Sequence, residues 1–256
     1  MIASAVGLCS GSAHGQIIVN EFLASPDGLQ EEFIELLNTS SSFVPLRDIA
    51  FRDSRSDWIA VGGDADARLA PGELLVLSME AQPVWPDVSF IRPESWASLN
   101  NSGDSIAVAV GASVTDRVGY GSNARGISLE RIDPAVPGHL GLNWGVSSAS
   151  LGATPGRVNA RFRPDIRPPL LRGAEFDPPS SLILWLSEPV NPSSLAGARF
   201  TADDSLVDAA GSRIDGARIG LDLPGGRAPD VISVGGLADF AGLRMRDTTL
   251  AVAIPS

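Results

Sequence analysis

The sequence has no lysine, one cysteine, one tyrosine and two histidines, and all 19 of its basic residues are arginine. One cysteine cannot close an internal disulfide, a CxxC redox centre or a cysteine-rich zinc site. Of the histidines, His14 and His139, neither has a serine in a G-x-S-x-G turn to work with, so a hydrolase triad has no support. The glycine-rich GYGSNARG stretch fits neither a P-loop nor a dinucleotide fingerprint. No apolar run approaches the roughly 18 residues that a membrane-crossing helix needs. Positive charge is short as well. The formal net charge is −11, a field that repels phosphate backbones and argues against nucleic acid as a general partner. Arg157, Arg161, Arg163, Arg167 and Arg172 are a local exception, read here as solvated charge between domains.

What the 256 residues do contain is apolar content of 44%, enough to build a core, with 27 glycines and 19 prolines to interrupt it. The apolar runs are short and bounded by turn residues. IIVNEFL precedes the SPDG turn. EEFIELLN is made of good helix formers, yet it is short for a helix between SPDG and NTSSS, so its periodicity leaves strand and helix both open. ELLVLS follows Pro71-Gly72. SIAVAV and SVTDRVG flank Gly111-Ala112 as a hairpin would, and GISLERID follows. Beyond ARFRPDIRPP, whose prolines favour an extended linker, come SLILWLSE, ARFTA, DVISVGGLADFAG and TTLAVAI. Short strands at this spacing predict an all-β chain whose two regions are each an antiparallel sandwich or barrel. The expected boundaries are 16–159 for the first domain, 160–169 for the linker and 170–256 for the second. Residues 1–15, MIASAVGLCSGSAHG, are small, apolar and uncharged. With Ala13 and Gly15 placed as at a cleavage site, they read as the back half of a secretory signal, a floppy tail being the alternative.

Few residues offer chemistry. Glu21 and Glu35 lie inside apolar strand candidates. Alternation puts Val19, Glu21 and Leu23 on one face, and Phe33, Glu35 and Leu37 on one face. A buried carboxylate needs a partner; Arg47, Arg131 or loop backbone N–H groups are candidates. The favoured reading is structural, and paired acids for metal binding or proton transfer are the alternative. Asn100 to Asp104 forms an oxygen-rich turn in which Asn101 and Asp104 are candidate calcium ligands. The spacing is not that of an EF-hand and only one acid is present, so a turn held by Asn and Asp side chains is preferred and no cofactor is expected. Asp53, Asp57, Asp64 and Asp66 read as solvated loop charge. Trp144 is expected to pack the first core and Trp185 the second. Trp58, Trp85 and Trp96 are expected to be buried; exposed in a row, they would instead form a platform for sugar rings.

The pieces IIVNEFLASP, EEFIELLNTSSSFVPL, LAPGELLVLS, LNNSGDSIAVAV, VTDRVGYG, ISLERID, NWG and GATPGRVN, in this order over about 145 residues, resemble the lamin-tail domain of exported bacterial proteins. The stretch from Asp48 to Arg68 departs from that pattern, lacking the tryptophan-containing strand the family often shows there. The second region, through SLILWLSEPVNPSSL and VGGLADFAG, looks like a bacterial Ig-like domain of the S-layer type. The resemblance implies two immunoglobulin-like sandwiches in tandem, secreted or displayed at the cell surface. The expected role is non-enzymatic binding or tethering, with a surface protein or a polysaccharide as partner. Three alternatives stand beside it. They are an accessory region of a secreted hydrolase or nuclease whose catalytic domain lies elsewhere, a polysaccharide-binding module, and a calcium-stabilised adhesion module.

Overall fold

The computed structural model describes residues 17–80, 82–223 and 225–255; the expectation for residues 1–15 lies outside them. Among the described residues the chain is nearly all β, and its helices are three short 3-10 turns. EEFIELLN is a strand. Contacts divide the chain into two compact units, Met1–Pro164 and Asp165–Ser256.

The first unit contains, in chain order, β1 (Ile17–Leu23), β2 (Phe33–Asn38), β3 (Val44–Pro45), β4 (Ile49–Arg52), β5 (Ile59–Ala60), β6 (Arg68–Leu69), β7 (Leu74–Leu77), β8 (Phe90–Ile91), β9 (Gly103–Val110), β10 (Ser113–Gly121), β11 (Leu129–Arg131) and β12 (Trp144–Val146). One sheet has the order β12-β11-β1-β2-β7-β8 and a second the order β10-β9-β4-β5. Ile17, Val19, Phe22, Ile34 and Leu36 of the first sheet meet Ile49, Phe51, Ile106, Val108 and Val118 of the second in one buried cluster. The residue pattern dictates this layering: Ile34 and Leu36, or Ile106 and Val108, are two apart and so share a face. The hairpin of β9 and β10 turns at Gly111-Ala112, where Gly111 has φ +57°, a conformation glycine adopts without steric cost. The strands between Asp48 and Arg68 are β4, β5 and the start of β6.

Strand β1 is buried along its whole length, because both of its faces are covered. Leu23, Phe33, Val76, Trp85 and Ala153 form a second apolar cluster, separate from the main core. A register shift between Val19 and Glu21 in the β1–β2 ladder corrects the simple alternation read from sequence. Val19 belongs to the main core, whereas Leu23 belongs to the second cluster.

The second unit contains β13 (Leu171–Asp177), β14 (Ser181–Leu186), β15 (Arg199–Ala202), β16 (Ser205–Leu206), β17 (Arg213–Asp215), β18 (Arg218–Asp222), β19 (Val231–Gly235) and β20 (Thr248–Ala251). Its sheets are β13-β14-β18-β17 and β16-β15-β19-β20. Leu182, Leu184, Ile219 and Leu221 pack with Phe200, Ile232 and Val234. Trp185 is not a core residue, contrary to expectation. Leu182, Leu184 and Leu186 are buried, so the residue between the last two points outward. Trp185 is 42% exposed, with the Arg218 guanidinium 5.0 Å from its ring centroid.

Candidate functional site

Ladder register sets three glutamates side by side across the first sheet: Glu130 on β11 opposite Glu21 on β1, and Glu21 opposite Glu35 on β2. All three are fully buried. What covers them is the stretch 152–161, GATPGRVNAR, which runs over this row as a strap. Glu21 accepts from Thr154 N at 2.8 Å, Thr154 Oγ1 at 3.0 Å and Ser128 Oγ at 2.6 Å. Glu130 accepts from Thr154 Oγ1 at 3.0 Å and Arg161 N at 2.7 Å. Glu35 accepts from Gly156 N at 2.6 Å and Asn20 Nδ2 at 2.7 Å. Asn159 completes the seam, donating to Asn20 O and Arg131 O and accepting from Asn20 Nδ2. Extended segments with prolines leave backbone N–H groups without a ladder partner; here buried carboxyls receive them.

Burial and neighbouring charge raise the proton affinity of Glu21 and Glu35. Burial pushes Glu21 up to about 7, against the bonds from Ser128 and Thr154 and with the Glu130 charge adding to it. Burial, then the Glu21 charge, pushes Glu35 up to about 8. Values near neutrality are what proton transfer asks for, but access decides. Each oxygen row lies beneath the strap, and a substrate would have to displace Thr154 and Gly156 to reach it. The arrangement holds backbone; it does not present acids to a cleft.

Neither expected arginine partner serves Glu21 or Glu35. Arg47 is exposed, and bonds Ala65 O at 3.0 Å beside Asp48. Arg131 is fully buried on a different errand: its NH2 pairs closely with Asp116, its Nε donates to Val19 O at 2.6 Å and its NH1 to Val136 O at 2.8 Å. Trp144 lies under that guanidinium, 5.0 Å from centroid to Cζ, against Phe22, with its Nε1 donating to Gly138 O. Trp144 is thus partly buried at the edge of the first core.

The oxygen-rich turn is closed on itself. Asp104 Oδ1 accepts from Ser54 N at 3.2 Å and Ser105 N at 2.7 Å, and Oδ2 from Asn100 Nδ2 at 2.5 Å. Partial burial acts to raise the Asp104 carboxyl, but the bonds from Ser54, Ser105 and Asn100 outweigh it and hold its pKa below the ordinary value. Asn101 is exposed at the tip. Asp53 likewise caps its own loop, accepting from Arg55 N and Ser56 N. The tryptophans do not line up as an exposed platform. Trp85 is buried against Phe33. Trp96 is half-buried and donates to Glu32 Oε2 at 2.7 Å, and Trp58 is 39% exposed beneath Arg52. His139 is exposed in its loop. The five arginines from 157 to 172 are exposed, although Arg163 N bonds Ile132 O, so the start of the expected linker is tied to the first unit.

Sequence reasoning missed Glu130, although Ser128 and Glu130 alternate with Leu129 and Arg131 in a way that marks a face. It also missed Asp165, Glu188 and Asp239, whose carboxylates converge in the second unit. There burial, then a hydrogen bond and charge from Asp165, push Glu188 up to about 8. Glu188 and Asp239 stand in the SEP and ADFAG pieces, but spacings of 23 and 51 residues carry no signal of proximity. Among the described residues no helix is long and apolar enough to cross a membrane. Compared with models of protein families and with curated proteins, the chain matches none.

Proposed function

We propose that this chain is a non-enzymatic binding or tethering protein, secreted or held at the cell surface. In this reading it consists of a lamin-tail-like domain followed by an Ig-like domain, each an immunoglobulin-like sandwich. The observation that carries the reading is the use made of the buried acids in the first unit. Glu21, Glu35 and Glu130 are consumed in fastening the strap, so Glu21 and Glu35, whose raised pKa values would suit proton transfer, serve rigidity instead. Two rigid sandwiches with separate cores offer loops and sheet edges to a partner, the usual way such scaffolds bind. A surface protein or a polysaccharide remains the proposed partner class. An aligned aromatic platform does not support the polysaccharide, because Trp58, Trp85 and Trp96 sit in three different environments.

The test is a binding measurement on intact bacterial cells with fluorescently labelled protein. Saturable binding that excess unlabelled protein displaces is the expected result. Linear, non-displaceable uptake at every concentration would sink the reading. Pretreating the cells with protease then separates the partners: loss of binding marks a protein, retention a polysaccharide.

A further inference from the structure

Three acids far apart in sequence meet in the second unit. Asp165 stands at its start, Glu188 two residues beyond β14, and Asp239 in the turn after β19. One carboxylate oxygen from each lies within 4.8 Å of the other two. Asp239 is 2% exposed, and its Oδ2 is buried with no hydrogen-bond partner among the described residues. Its Oδ1 accepts from Leu243 N at 2.8 Å, which fixes the direction of the side chain. Buried carboxylate oxygens are ordinarily satisfied, and one left without a partner costs about 1–3 kcal/mol or more. Two further acids beside it make the cost larger, and among the described residues no arginine pairs with Glu188 or Asp239.

The backbone around the cluster is held in place. Ser187 N donates to Leu170 O and Leu170 N to Ser187 Oγ at 2.9 Å, fastening the segment after Asp165 to the loop that carries Glu188. Asn191 N donates to Ala238 O, fastening that loop to the turn that carries Asp239, and Met245 N donates to Leu237 O across the turn itself. The acids therefore stand together because the chain is fixed there. Charge of one sign gathered on fixed backbone, with an acceptor left over, asks for a cation.

We propose that Asp165, Glu188 and Asp239 form a binding site for a calcium ion. The donor set is all oxygen, which selects hard cations over zinc or copper. Calcium bonds of about 2.3–2.6 Å let one ion bridge oxygens up to about 5 Å apart, and its flexible coordination accepts water in the remaining positions. Magnesium asks for near-ideal octahedral geometry at about 2.0–2.1 Å, which three acids on separate loops are poorly placed to supply. The ion would join three segments of the second unit, using the Asp239 oxygen that the protein itself leaves unsatisfied. The turn at Asp104, by contrast, spends its oxygens on Ser54, Ser105 and Asn100.

Isothermal titration of the full chain with calcium chloride, after chelator treatment, tests the assignment. One site per chain is expected, with a Kd of about 0.1–1 mM as for extracellular modules. Calcium at about 10 mM should raise the melting temperature of the second unit by at least about 5 °C. Asp239→Asn keeps the Oδ1 acceptor for Leu243 and should weaken binding at least tenfold, as should Glu188→Gln. Asp104→Asn should leave it unchanged. Absence of calcium binding to the wild-type chain, binding that survives both Asp239→Asn and Glu188→Gln, or an equal response to magnesium chloride would each overturn the proposal.

Discussion

At the scale of single residues, the first unit depends on buried charge that is answered locally. Arg131 holds Asp116, Val19 O and Val136 O together while covering Trp144. Arg131→Met would take the charge partner from buried Asp116 and leave it only backbone N–H groups such as that of Val19, a loss of about 3–5 kcal/mol; urea unfolding monitored by circular dichroism should show it as a lower midpoint with an unchanged slope. Glu21 and Glu35 make stability depend on pH in the unusual direction. Their pKa values are raised from the ordinary 4.5 to about 7 and about 8. Between those limits the folded state holds protons that the unfolded chain has released, so stability falls as pH rises through the window from about 4.5 to about 8. Each group contributes at most about 1.4 kcal/mol per pH unit. The first unit should melt several degrees higher at pH 5.5 than at pH 8.5, and Glu35→Gln should flatten that dependence. A melting temperature that rises toward pH 8.5 would contradict the account. The sequence showed that Glu21 and Glu35 needed partners. It did not show that the partners would be the backbone of residues over a hundred positions away, because nothing local encodes a contact between Glu21 and Thr154.

At the scale of elements, the strap of residues 152–161 is the piece that converts an open sheet face into a sealed one. Gly152 at its start has φ +77°, and a Cβ there would run into Gly126 O. Gly152→Ala should therefore cost about 1–3 kcal/mol through backbone strain alone, and should speed hydrogen exchange at Thr154, Gly156 and Arg161 more than in the β9–β10 hairpin. Equal protection in both places would show that the strap is not a separate element. Much at this scale could be read from the residues. The hairpin at Gly111-Ala112, the strand character of SLILWL and the turn at Pro71-Gly72 follow from turn chemistry and alternation. EEFIELLN could not be settled so, since both of its faces are buried and periodicity then has nothing to distinguish. The shift between Val19 and Glu21 was illegible for a related reason: a bulge moves one residue out of phase without leaving a mark in composition. Trp185 misled because its neighbours are apolar, although its phase against Leu184 and Leu186 already pointed it outward.

At the scale of the whole molecule, two units with separate cores should unfold separately. Differential scanning calorimetry is expected to resolve two transitions. Glu35→Gln should flatten the pH dependence of the first transition and leave that of the second, which carries its own raised Glu188, unchanged. Ile166 is 78% exposed, so brief thermolysin treatment, which cuts on the N-terminal side of large apolar residues, should cleave the Asp165–Ile166 bond and release two stable fragments near the sizes of the units. Digestion to small peptides without such intermediates would count against independent units. The strap also carries a consequence for biogenesis. Thr154, Gly156 and Arg161, which donate to the three carboxyls, are made after every strand of the first unit, whereas the acids of β1 and β2 precede them by over a hundred residues. Until residues 152–161 have been made, the nascent sheet carries a row of acids that lacks most of its donors. Closure of this unit is thus timed by its own last segment.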